Sequence, residues 1–198
     1  MRSITPLLAL CLALALLSGC RDIPALPEIA AVPGFELHDH RGAKVTPAEL
    51  QGKVWIANFM FTSCPDVCPL LTAKMGNVRS DLRAQRPSLR FVSFSVDPET
   101  DTPEVLAKYA KEQGADHEGW FFLTGELERV KGVVVKGFKQ SMEKMPLEQG
   151  KPQNIMHGSH FVLVDQKLQI RGYYTSDAPG LKALARDARR LVAGKADG

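Results

Sequence analysis

The sequence predicts an α/β domain, a central mixed β-sheet flanked by helices, and three observations carry that expectation. Short apolar runs rich in β-branched and aromatic residues alternate with helical patterns along the chain. Two late runs, residues 160–164 and 169–174, are joined through the turn residues Asp165, Gln166 and Lys167, as in a hairpin. The apolar run of residues 54–61 ends at two cysteines, and a helical pattern begins between them.

The elements follow in order. Residues 1–19 read as an export signal: Arg2 gives the positive start, residues 4–17 the apolar stretch, and Leu17-Ser18-Gly19-Cys20 a small-residue processing site. Pro6 lies inside the stretch, which falls short of the ~20 residues that cross a bilayer. Residues 20–33 carry Pro24, Pro27 and Pro33 without an amphipathic period and read as a tether. A single domain is expected over residues 34–194. Its first elements are a short strand at residues 35–37 and a short helix opened by Thr46, Pro47 and Glu49, a hydroxyl cap with a first-turn proline and a third-position acid. Residues 54–61 form a buried strand. Asp66 caps the next helix, which tolerates Pro69 in its first turn and lines Leu71, Met75, Val78 and Leu82 on one face.

Residues 90–96 alternate as a strand, residues 97–101 form a turn, and Thr102-Pro103-Glu104 opens a helix running to about Gln113. A strand at residues 120–123, a helix at 125–135 and a polar loop at 141–153 precede the hairpin. The last helix shows Leu181, Leu184, Ala185, Ala188, Leu191 and Val192 on one stripe. The order strand, cysteine turn, helix, strand, helix, hairpin, helix looks like a thioredoxin fold.

Composition excludes some classes. With 44% hydrophobic and 24% charged residues the chain is an ordinary globular one, and a net charge of +3 is too small an excess to argue for nucleic acid. Of four cysteines, Cys11 lies in the signal and Cys20 at its processing site, which leaves Cys64 and Cys68 for chemistry. One close pair is not a disulfide scaffold.

The motif Thr62-Ser63-Cys64-Pro65-Asp66-Val67-Cys68-Pro69 puts two thiols at a strand-to-helix turn, where helix-start N–H groups favour thiolate. Three residues separate the cysteines, whereas thiol oxidoreductases of this fold typically place two. Both sulfurs can then converge on a soft metal, with a third donor to be sought. Among the five histidines, His38 and His40 read as an exposed turn before Gly42, and His117 as surface. The odd separation of His157 and His160 puts them on opposite faces of a strand, so at most one points at the cysteines, and His157 at the loop entry is the freer. Asp97 and Asp101 are explained as turn and cap residues, or as carboxylates near the metal mouth that orient a ligand or meet a partner. Trp55 and Phe59 read as core.

Residues 52–69, the stretch Phe94-Ser95-Val96-Asp97-Pro98-Glu99 with Asp101-Thr102-Pro103-Glu104, and His157 with Ser159 leading into Leu163-Val164-Asp165 strongly resemble the Sco (SenC) family. The resemblance spans residues 32–192. It implies a membrane-anchored copper protein of thioredoxin fold that assists assembly of the dinuclear copper site of cytochrome c oxidase. It places one copper ion, Cu(I) or Cu(II), on Cys64, Cys68 and His157. The processing site likewise resembles the lipobox of bacterial lipoproteins, implying Cys20 as a lipid anchor to a bacterial membrane, on the periplasmic or exterior side.

One position departs from the family pattern: Met156 stands where an acidic residue often precedes the ligand histidine. Met156, with Met142 and Met145, would offer thioether sulfur to Cu(I), or simply fill apolar gaps. The partner implied is the oxidase subunit that bears copper, or another copper protein. The rival readings are a thiol-disulfide reductase using Cys64 and Cys68 as a redox pair, and a copper or redox sensor using the same ligands.

Overall fold

The structure is a computed structural model that describes residues 24–64, 67–146 and 154–194. Ten strands are present among them: β1 Ala30–Ala31, β2 Leu37–Asp39, β3 Lys44–Val45, β4 Val54–Met60, β5 Leu89–Ser95, β6 Trp120–Thr124, β7 Met142–Lys144, β8 Ile155–His157, β9 Phe161–Val164 and β10 Gln169–Tyr174. The α-helices are α1 Pro47–Leu50, α2 Val67–Asp81, α3 Pro103–Glu112, α4 Leu127–Lys131 and α5 Ala178–Val192. A 3₁₀ segment, Arg83–Ser88, joins α2 to β5, and a π turn, Gly132–Gly137, extends α4.

Eight strands form one sheet in the order β1-β10-β9-β4-β5-β6-β2-β3, and β7 and β8 form a separate ribbon. Strands β4, β5 and β6 run parallel, while β9 is antiparallel to β4. All seven residues of β4 are buried, as a strand with neighbours on both sides and helices on both faces must be. Trp55 and Phe94 meet Phe138, just past the π turn, with ring centroids 5.9 and 5.4 Å away. On the opposite face Phe122 meets Tyr109 of α3, whose hydroxyl lies 3.0 Å from Thr72 of α2. The buried serines of β5 are satisfied by side chains, Ser93 by Asn58 and Trp120, and Ser95 by Asp101. The thioredoxin-like α/β architecture is therefore the one expected.

Local signals set the boundaries. Thr46 and Glu49 form a reciprocal capping box on α1, and the Asp177 carboxylate accepts the Gly180 N–H at the start of α5. Thr102 caps α3 through the Val105 N–H.

Several expectations shift. The stretch expected as a tether is integral from Leu26 onward: β1 adds to the sheet edge, Val32 is buried, and the Arg171 guanidinium donates to the carbonyls of Leu26 and Pro27. Its prolines hid a strand too short to show a period. The polar loop expected at 141–153 holds β7, and β8 follows it, since a two-stranded ribbon with one exposed face needs no apolar run. Asp66 as a helix cap, Cys20 as an anchor and the signal at 1–19 lie outside the described residues.

Candidate metal centre

The parallel strands β4 and β5 end together, and the cysteine loop leaves at that edge. The Val96 N–H donates to the Met60 carbonyl at 2.8 Å, and the Cys64 N–H turns back to the Phe61 carbonyl at 3.4 Å. Between them the loop is gripped by Asp101. Its carboxylate accepts the Thr62 hydroxyl at 2.5 Å, the Thr62 N–H at 3.2 and 3.3 Å, and the Ser95 hydroxyl at 2.6 Å. Burial pushes the Asp101 pKa up, against those hydrogen bonds, which pull it down. The cap of α3 is Thr102, and Asp101, expected as a turn or cap residue, instead fixes the backbone two residues before Cys64. Asp97 closes the turn, its carbonyl accepting the N–H groups of Thr100 and Asp101.

Both cysteines are thiols, Cys68 buried in the first turn of α2 and Cys64 half-buried before it. The Cys68 N–H points at Cys64 Sγ, 3.4 Å away. Helix-start stabilisation of a thiolate therefore applies to Cys64. At Cys68 burial outweighs it, and desolvation drives that thiol far above its ordinary pKa, with the Cys64 and Asp101 neighbours adding to the rise.

His157, at the end of β8, brings its Nε2 to 3.4 Å from Cys68 Sγ across 89 residues of sequence. Nδ1 lies 3.0 Å from the Gly158 carbonyl. With Nδ1 donating there, the Nε2 lone pair faces the thiol, the tautomer a metal-binding imidazole requires. Burial holds the His157 pKa below its usual value. The Phe61 ring stands edge-on to the imidazole, centroids 5.7 Å apart, and sets its plane. Gly158 allows the approach, because a Cβ there would collide with the buried Gln140 amide.

The donor set of two sulfurs and one imidazole nitrogen suits copper. Among the described residues, however, no three His, Cys, Asp or Glu side chains are already gathered around an ion. Cys68 Sγ meets His157 Nε2, and Cys64 Sγ lies against the Cys68 N–H.

The remaining sequence candidates are placed elsewhere. His157 and His160 do not share a strand: the first ends β8, and the second is exposed in the link to β9. His38 is exposed on β2 and His117 on the surface. His40, expected in an exposed turn, is buried edge-on against Phe122 and accepts the Phe122 N–H at 3.3 Å. Met156 is 49% exposed and pairs with Glu143 on the ribbon face opposite His157, which separates its thioether from the thiols. Met142 is the cross-strand partner of His157 and shares its face. Sequence reasoning missed Lys144, whose Nζ reaches Asp97 and Glu99; only its place in an unrecognised strand could have signalled it.

The SCO1/SenC family model matches residues 25–193. A SCO1/SenC family lipoprotein from Bacillus anthracis superposes with a TM-score of 0.73 at 32% identity, over 81% of this chain and 94% of that one. BsSco, described as a member of the Sco family of cytochrome c oxidase assembly proteins with a disulfide switch, gives 0.72 at 30% identity over 86% and 98%. Copper-bound ScoI from Bradyrhizobium japonicum gives 0.71 at 25% identity over 82% and 99%.

Proposed function

We propose that this chain, which belongs to the SCO1/SenC family, binds one copper ion through Cys64, Cys68 and His157 and delivers it to a copper-bearing subunit of cytochrome c oxidase or another copper protein. The observation that carries the reading is the 3.4 Å approach of His157 Nε2 to Cys68 Sγ. A dithiol exchange site has no use for an imidazole there, whereas an imidazole added to two thiolates suits copper. Copper is cargo. Its arrival displaces the Cys68 proton, and its departure proceeds by ligand exchange as an acceptor's thiolates replace these donors in turn. Half-buried Cys64 is the accessible first and last ligand, while Cys68 and His157 form the fixed floor.

Copper in the ScoI relative and oxidase assembly in the family of BsSco support the reading. The reductase reading draws support from the disulfide switch of BsSco, since Cys64 and Cys68 lie close enough for the Cys68 N–H to reach Cys64 Sγ. We place the domain outside the cytoplasm, anchored by lipid on Cys20, from the lipobox-like Leu17-Ser18-Gly19-Cys20 and the lipoprotein relative. No helix among the described residues is long and apolar enough to cross a membrane.

Anaerobic titration of the reduced protein with Cu(I) and Cu(II) tests the site. Stoichiometric binding with sulfur-to-copper charge-transfer absorption is expected, weakened or lost in C64S, C68S and H157A. Full copper affinity in H157A would remove the imidazole from the site, and disulfide reduction by the wild type that H157A retains, without stoichiometric copper binding by either, would select the reductase instead.

A further inference from the structure

The end of the sheet opposite the cysteines is lined with arginines. Strands β4, β5 and β6 begin there, and a cleft of about 490 Å³ opens between Arg79, Arg86, Arg90, Glu118 and Phe121. Among the described residues no carboxylate lies within ion-pair distance of Arg79, Arg86 or Arg90. The Arg90 Nη1 donates to the carbonyls of Arg86 and Leu89. Burial, and with it the charge of Arg86, disfavours the Arg79 cation. An anion in the cleft would offset the repulsion between the two guanidinium groups.

The same end gathers further cations. Lys53 Nζ donates to the Pro87 carbonyl, Arg189 donates to the Asp81 carbonyl at the end of α2, and Arg83 is exposed beside them. The modest net charge of the whole chain hides this segregation. Helix α5 packs on the 3₁₀ segment that carries Arg83 and Arg86, so its last turns are continuous with the cleft.

The N-terminal segment arrives at this end as well. The Pro24 carbonyl accepts from Arg190 Nη2 at 2.6 Å. From Cys20 to Pro24 the chain spans at most about 14 Å however it runs. A lipid on Cys20 therefore brings this end, and not the cysteine end, within reach of the headgroups.

We propose that the Arg79–Arg86–Arg90 cleft binds the phosphate of anionic phospholipid headgroups, seating the domain on the membrane with Cys64 and Cys68 facing away from it. The proposal rests on the lipid-anchor reading for its orientation. Guanidinium forks suit phosphate oxygens, and several cations at one surface add their attraction to anionic lipid. A seated domain offers its metal site to the water-exposed part of a membrane-bound acceptor.

The test uses the full lipid-bearing chain reconstituted into vesicles of phosphatidylcholine, alone or mixed with phosphatidylglycerol, with arginine modification by phenylglyoxal read peptide by peptide. Arg79 and Arg86 should react about fivefold or more slowly on the anionic vesicles, and high salt should erase the difference. Equal reactivity on both vesicles overturns the proposal. Equal protection by inorganic phosphate added to phosphatidylcholine vesicles overturns the lipid assignment in favour of a free anion. A chain that washes off neutral vesicles but stays on anionic ones, losing that retention in R79Q/R86Q, supports the cleft and refutes the Cys20 anchor. A chain that washes off both overturns both.

Discussion

Lys144 on β7 reaches out of the ribbon to the turn after β5, its Nζ 3.3 Å from the Asp97 carboxylate and 2.6 Å from that of Glu99. Asp97 is buried, and Lys144 is its counter-charge. Because Lys144 pairs across the ribbon with Ile155, two residues before His157, this contact fixes the ribbon that supplies the imidazole against the loop that positions the cysteines. The pair is half open to water on the lysine side, so K144A should cost only about 1 kcal/mol of global stability. Its local effect should be larger. Amide hydrogen exchange at Met156 and His157 should accelerate severalfold in K144A and stay near wild type in K144R, and unchanged exchange in K144A would remove the ribbon-fixing role.

Asp101 satisfies three donors from two segments, and replacing it leaves them stranded. D101A should destabilise the domain by about 2–4 kcal/mol, read from the denaturant midpoint at unchanged slope. D101N keeps an acceptor oxygen but turns an amide N–H toward the donors, so an intermediate loss is expected. Freed from Asp101, Thr62 no longer pins the cysteine loop, and alkylation of Cys64 should change in both variants. A loss of stability below 1 kcal/mol in D101A would show that water replaces the carboxylate.

These two residues mark where the sequence was readable and where it was not. The order of elements along the chain, the thioredoxin-like architecture and the strand that precedes Cys64 are written in periodicity and caps, such as Thr46 with Glu49 and Thr102 before Pro103. What periodicity does not carry is side-chain traffic between segments. The Asp97–Asp101 turn showed its backbone role, but nothing local revealed that Asp101 reaches back 39 residues to Thr62. The ribbon was hidden because Met142–Lys144 is a polar strand with one buried neighbour, and the resemblance, not spacing, singled out His157. His40 misled for a related reason: a histidine beside a turn is usually solvated, yet here Arg41 and Asp116 close over it while Phe122 packs against its ring.

That buried His40 gives the stability a pH dependence far from the cysteines. Desolvation, followed by the Arg41 charge, lowers its pKa from 6.5, so the folded state keeps the ring neutral where the unfolded chain already protonates. Between the folded-state pKa and 6.5 the unfolded state binds more protons, and stability rises with pH through that window and is lost as pH falls. His157 is shifted in the same direction and contributes with the same sign. H40Q, which retains an acceptor for the Phe122 N–H, should flatten part of the slope in chemical denaturation curves taken below pH 6.5. An H40Q slope identical to wild type would assign the whole dependence elsewhere.

The two thiols should differ sharply in reactivity. Cys68 is fully buried beneath the His157 ring, and its thiol keeps its proton, whereas half-buried Cys64 receives the helix-start N–H that favours thiolate. Iodoacetamide followed by peptide mass spectrometry on the apo protein should therefore label Cys64 at least about tenfold faster than Cys68. Removing the ring in H157A opens a path to Cys68 and should narrow that gap from the Cys68 side, leaving Cys64 close to its wild-type rate. Stoichiometric Cu(I) should protect both cysteines in the wild type, because a shared ion ties up both sulfurs, and chelating the copper should restore the original order. Protection of Cys64 alone would mean that Cys68 stays a structural thiol and that copper rests on Cys64 and other donors, which contradicts the three-ligand site at its buried half.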